Sequence, residues 1–223
     1  MRLLRSLVHA FCEAPVVCAA LLVLAGGLGA VHPLLALPCA LLLFFVLYFF
    51  RDPFRITPGD DTVLYASADG TVVRAGEAEH ELLPGGKGQR VLIFMSPLNV
   101  HRNTAPCTAR VREVRYTKGQ FLPAFREGME SVNERASVVF EMPAAGRQDG
   151  VPGFVVVTQI AGILARRIVC RAQSGREYHQ GEQFGLIRFG SANEMLFDST
   201  WEILVREGER VQAGLTVIAR RRA

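Results

Sequence analysis

Two apolar runs near the N-terminus constrain this chain more than any other feature. From Ala14 to Val31, and again from Pro33 to Phe50, no residue is charged. Each run is about the 17–20 residues that a helix needs to cross a hydrocarbon core. Gly26, Gly27, Gly29, His32 and Pro33 supply helix breakers, which predicts two helices joined by a tight connection. Arg2 and Arg5 precede the pair, Arg51 and Arg55 follow it, and the connection has no lysine or arginine. That bias predicts a helical membrane hairpin over residues 1–50 with both ends on the cytoplasmic side. Two other readings stay open. The first run could be a signal peptide cut near Gly29-Ala30, which leaves the second run unexplained. The pair could also form a short re-entrant wedge, since both runs are marginal in length.

After Phe50 the pattern changes. Residues 51–223 carry short β-prone stretches punctuated by glycine and proline, among them Thr71–Arg74, Arg90–Met95, Arg110–Tyr116, Ser137–Glu141, Phe154–Gln159 and Gln183–Arg188. That spacing predicts a mostly β domain. The best helical candidate within it is a short stretch at Ile160–Ala165. Near the C-terminus, Val211-Gln212-Ala213-Gly214 between two β-prone stretches resembles the turns of lipoyl-like barrel-sandwich domains. The expected fold is such a β domain preceded by the helical hairpin.

Composition removes several functions. The net charge of +4 comes almost wholly from arginine, and no basic tract is interleaved with aromatics, so nucleic acid is not an expected partner. The five cysteines are scattered without a C-x-x-C pair, which predicts neither a disulfide framework nor a metal site.

Three local features carry chemistry. Asp69 lies in Ala66-Ser67-Ala68-Asp69-Gly70, where Asp-Gly alone reads as a turn. His101 follows a β-prone stretch that ends at Ser96-Pro97. Ser191 stands in Arg188-Phe189-Gly190-Ser191-Ala192. Together they supply an acid, an imidazole and a hydroxyl, the groups that activate a serine. Spacing alone does not bring them together, and each has an ordinary structural reading by itself.

Five blocks in order resemble the phosphatidylserine decarboxylase family, in its short bacterial and archaeal form. They are Phe49-Phe50-Arg51-Asp52-Pro53, Ala68-Asp69-Gly70, the stretch Met95–Asn103, Asn133-Glu134-Arg135, and the stretch Phe189–Met195 with its Gly190-Ser191 pair. The resemblance implies a proenzyme that cuts itself between Gly190 and Ser191, giving a β chain of residues 1–190 and an α chain of residues 191–223 that stay together as a heterodimer. Ser191 becomes a covalent pyruvoyl group, with His101 as base and Asp69 orienting it. The pyruvoyl ketone would form a Schiff base with the amine of phosphatidylserine, so that neither pyridoxal phosphate nor a metal is expected. Only Lys87 and Lys118 are available as lysines, and neither lies in a cofactor motif. Arg102 and Arg188 are candidates for the substrate phosphate. The implied location is the inner face of the cell membrane. Many relatives carry a second histidine three residues after the first; here that position is Thr104. The same chemistry on archaetidylserine remains an alternative. So does a membrane-tethered binding module, although the swinging-arm lysine of a carrier is missing. A serine hydrolase lacks its G-x-S-x-G elbow.

Overall fold

The computed structural model describes residues 2–123, 126, 128–143, 153–163, 167–188 and 191–222. The chain divides into two compact units, Met1–Phe54 and Arg55–Ala223.

The first unit is three helices: α1 (Arg2–Glu13), α2 (Pro15–Val31) and α3 (Pro33–Phe49). Prolines open α2 and α3, where the missing N–H costs nothing. The glycines expected to break the chain do not: α2 runs through Gly26, Gly27 and Gly29 to Val31. The connection is His32 alone, extended at φ −160°, with its Nδ1 accepting from the Leu34 N–H at 3.3 Å. Helices α2 and α3 are 17 residues each. At about 1.5 Å per residue that is about 25 Å, short of a core of about 30 Å. Among the described residues no helix is long and apolar enough to cross a membrane. The expected membrane-crossing hairpin is therefore corrected to a pair of shorter helices. Val16, Val23, Leu34, Leu41 and Phe44 are exposed on them.

The second unit is mostly β, as the punctuated sequence predicts. Eight strands form one antiparallel sheet in the order β13-β2-β3-β11-β7-β6-β5-β9. Its members are β13 (Arg210–Val211), β2 (Gly70–Glu79), β3 (Lys87–Met95), β11 (Ser191–Phe197), β7 (Gly153–Ala161), β6 (Arg135–Met142), β5 (Ala109–Thr117) and β9 (Glu177–Tyr178). Two three-stranded sheets accompany it. One is β1 (Val63–Tyr65), β14 (Val217–Arg221) and β12 (Trp201–Ile203); the other is β4 (Arg102–Thr104), β10 (Gln183–Ile187) and β8 (Ile168–Cys170). A single helical turn, α4 (Met129–Val132), lies before β6.

Both faces of the large sheet are covered at its centre. Val91, Ile93, Met95, Val155, Val157, Met195 and Phe197 join the main core, while Leu92, Met129, Ile160 and Ala192 form a separate cluster. Every residue of β11 is buried. Burial on both sides explains why β7 carries the unbroken β-branched run Val155-Val156-Val157-Thr158. It also corrects the helix expected at Ile160–Ala165: Ile160 and Ala161 close β7, and residues 164–166 lie outside the described residues.

Candidate active site

Ser191 opens β11 and stands opposite Met95 of β3 on one side and Ala161 of β7 on the other. It is wholly buried, and its Oγ lies 3.4 Å from the thioether sulfur of Met95. The expected scissile partner, Gly190, lies outside the described residues. The strand that Ser191 begins is central in the sheet, so residues 191–223 are bound into the fold by full ladders on two sides.

His101 is brought to the same end of the sheet by the turn that leaves β3 at Met95. Asn99 Oδ1 accepts from the Ser96 N–H at 2.8 Å, and the Asn99 N–H donates to Ser96 O at 2.9 Å, which fixes that turn. The turn delivers His101, buried, with Nδ1 2.9 Å from the Asn99 carbonyl. A carbonyl can only accept, so Nδ1 carries the proton and Nε2 holds the lone pair in the neutral ring. Next to it, the Ile187 N–H donates to His101 O at 3.3 Å, four residues before Ser191 in the chain. The histidine is thus held by the turn that follows β3 and by β10, the strand that leads toward Ser191.

Asp69 sits elsewhere in this network. Its carboxylate takes both guanidinium nitrogens of Arg55, at 2.5 and 2.7 Å, and the Ala213 N–H at 2.8 Å. No hydrogen bond joins it to His101 among the described residues; the Asn99 carbonyl holds the imidazole Nδ1 instead. The segment before Asp69 is anchored on two sides, since Thr104 N–H donates to Ser67 O and Gly214 N–H to Ala66 O, both at 2.9 Å. Gly70 is not simply half of a turn. A Cβ there would stand 2.2 Å from the Phe94 carbonyl oxygen, so the approach of β2 to β3 requires glycine.

Of the two candidate phosphate ligands, Arg102 on β4 stands opposite Leu186, two residues short of Arg188, and the Arg188 N–H donates to Arg167 O at 3.3 Å. Backbone pairing therefore places Arg102, Arg167 and Arg188 beside the C-terminal end of β10.

Sequence reasoning missed several residues. Arg55 was read as a flank of the apolar pair, and its role on Asp69 has no local signal beyond its place after Asp52-Pro53-Phe54. Asn103 and Asn193 lie inside the blocks that carry the resemblance and Gln159 closes a β-prone stretch, but none is given a role by the sequence, because polar residues in a β-prone run ordinarily mark its wet face; all three are wholly buried. Glu194, in the same block as Asn193, is left without a role for the same reason. Burial pushes its carboxyl up to about 7, against the attraction of Arg90. The Arg90 Nε lies 2.8 Å from Glu194 Oε1, and its attraction offsets the burial only in part while Glu130 adds to the upward push.

The family profile described as phosphatidylserine decarboxylase matches residues 42–219. Three proteins named phosphatidylserine decarboxylase proenzyme show the extent of the likeness. The one from Symbiobacterium thermophilum is 40% identical over 85% of this chain and 85% of its own length. The one from Solibacter usitatus is 43% identical over 85% of each. The one from Geobacter sulfurreducens is 41% identical over 78% of this chain and 76% of its own.

Proposed function

We propose that this chain, which belongs to the phosphatidylserine decarboxylase family, converts phosphatidylserine to phosphatidylethanolamine and carbon dioxide after cutting itself at Gly190-Ser191. The observation that carries the reading is the placement of Ser191: a buried serine at the first position of a central strand, tethered through backbone contacts to the turn that holds His101.

In the self-cleavage, His101 Nε2 takes the Ser191 hydroxyl proton, since Nδ1–H is engaged by the Asn99 carbonyl. The freed oxygen attacks the carbonyl of Gly190, and the peptide becomes an ester. Loss of the upstream chain, residues 1–190, by elimination leaves residue 191 at a new N-terminus. The strand pairing of β11 with β3 and β7 supports a two-chain product that stays assembled.

The pyruvoyl group fits these residues because it is made from the atoms of residue 191 itself and needs no separate cavity. Met95 and Ala161 flank it with apolar surface, which favours the loss of charge as the substrate carboxylate departs. When formed, its ketone supplies the electron sink for the carbanion left on Cα. Arg102 and Arg188 would hold the lipid phosphate by charge-assisted hydrogen bonds. The exposed apolar residues of α2 and α3 support a wedge that enters the membrane without crossing it, at its cytoplasmic face. The turn at Val211–Gly214 between β13 and β14 supports a barrel-sandwich relationship for the β unit.

The test is the intact mass of the purified protein with and without a carbonyl-reactive hydrazine. Two chains that part at Gly190-Ser191, the smaller shifted by hydrazine, are expected. Ser191→Ala should remain one chain that ignores the reagent. A single wild-type chain from a folded preparation would sink the proposal and favour a binding module.

A further inference from the structure

Beside Ser191 the interior holds uncharged polar side chains for which the reaction above has no use. Ser67, Asn103, Gln159 and Asn193 are each wholly buried. They come from four segments: the stretch before β2, then β4, β7 and β11. Asn193 lies two residues along β11 from Ser191, so the two side chains share a face, and its register partner on β7 is Gln159. Ile93, Met95, Val157 and Ala161 of the main core occupy the neighbouring strands.

This group is only half satisfied. Ser67 Oγ donates to Asn193 Oδ1, and Gln159 Nε2 donates to Asn103 Oδ1 at 2.8 Å. Among the described residues Asn103 Nδ2 reaches only the Met95 sulfur, at 4.0 Å. Asn193 Nδ2 and Gln159 Oε1 have no hydrogen-bond partner among the described residues. Turning either carboxamide end over end changes which atom is left without a partner but not that one is. The fold nevertheless makes room for them. A Cβ on Gly185 of β10 would stand 2.5 Å from the Val169 carbonyl oxygen and 2.8 Å from Gln159 Nε2, so glycine lets β8 approach and leaves space for the amide as well. A buried donor and a buried acceptor on directly opposed residues are what one bridging water would satisfy.

We propose that Gln159 and Asn193 hold one water beside residue 191, and that this water completes the pyruvoyl group. The proposal rests on the self-cleavage reading. Elimination leaves residue 191 as dehydroalanine, with its amino group on a Cα doubly bonded to Cβ. A proton shifts to Cβ, which becomes a methyl group, and Cα becomes an imine. The water oxygen bonds to Cα, the carbon–nitrogen bond breaks, and ammonia leaves with the water hydrogens. One water enters and one ammonia departs, with no change of oxidation state. Ser191 is wholly buried, so a water waiting inside removes the need for one to diffuse in. Asn193 Nδ2 donates to the water oxygen and Gln159 Oε1 accepts one of its hydrogens. Both are positioning residues: the serine attack and the elimination consume no water and proceed without them.

That separation supplies the test. Full-length Asn193→Leu and Gln159→Met are followed from the uncut state by intact mass, hydrazine labelling and ammonia release. Chain cleavage is expected at the wild-type rate, while the hydrazine-reactive end and ammonia lag it by about tenfold, the effect of losing one water-mediated contact. Cleavage and labelling that keep step as in wild type would overturn the proposal, and so would folded variants that stay uncut. Independently of how the variants fold, a crystal structure of uncut Ser191→Ala should show a water bonded to both amides. Amides closed directly on each other would overturn the assignment. A wild-type chain that never cleaves would instead count against the self-cleavage reading itself.

Discussion

Arg55 grips Asp69 through both guanidinium nitrogens, at 2.5 and 2.7 Å, in a pair whose side chains are 12% and 8% exposed. Arg55 Nη1 also donates to the Ala213 carbonyl at 3.0 Å, and the Ala213 N–H donates back to Asp69. Ala213 belongs to the segment that the proposed cleavage releases as the shorter chain. The carboxylate thus ties together residues on either side of the proposed cut, while the Asn99 carbonyl holds the His101 ring.

Removing one partner of such a pair leaves a buried charge uncompensated. Arg55→Ala should lower the stability of the β unit by about 3 kcal/mol. Arg55→Lys should recover only part of this, since an ammonium cannot make the two-nitrogen contact. Urea unfolding of the uncut Ser191→Ala background measures both. Equal midpoints for Arg55→Ala and its parent would show the pair to be energetically idle.

His101→Ala should slow chain cleavage by about 10²–10⁴-fold, the usual contribution of a positioned general base. Gel densitometry over time after translation reads this directly. Cleavage at an unaltered rate would remove His101 from the proton transfer.

Gly70→Ala brings a Cβ to 2.2 Å from Phe94 O and 2.7 Å from Ile93 Cγ2, and neither β-ladder neighbour can retreat without breaking pairing. The expected loss is about 2–3 kcal/mol, within the range for overpacked interiors. Because the strain falls next to Asp69, cleavage should slow as well. A variant as stable as its parent would mean that β2 and β3 can part enough to admit a methyl group without loss of pairing.

Glu194 gives the stability a pH dependence of definite sign. Its carboxyl is raised by burial from 4.5 to about 7, so between those values the folded chain holds a proton that the unfolded chain has lost. Stability from this group is full below about pH 4.5, falls as pH rises to about 7, and is level above that. The interval is worth at most about 3 kcal/mol. Glu194→Gln should remove that fall, so unfolding midpoints of wild type and variant diverge from pH 5 to pH 7. Parallel profiles would show that Arg90 neutralises the carboxylate fully.

The β character of residues 55–223 was legible because it is written locally. β-branched runs at Val138-Val139 and Val155-Val156-Val157 favour extended backbone, and glycines punctuate them. The candidate site residues were legible for another reason: Ser191, His101 and Asp69 lie in short blocks whose residue types carry the resemblance. Helical character at Pro15–Val31 and Pro33–Phe49 followed from uncharged apolar composition, but the usable length of each helix did not, because His32 spends one residue where the glycines promised a longer break.

What the sequence could not determine is everything that depends on a partner distant in the chain. Ser191-Ala192-Asn193-Glu194 gives no periodic sign of a strand, since alternation appears only where one face meets water, and β11 is covered on both. The pairing of Asp69 with Arg55 and Ala213, and of Asn193 with Ser67, joins residues whose proximity is set by strand register. By itself the sequence determined which residues are chemically able to act and that they would be carried on β structure. The tertiary structure alone decided which are buried and what each touches, because burial and hydrogen-bond geometry arise only once β11 is inserted between β3 and β7.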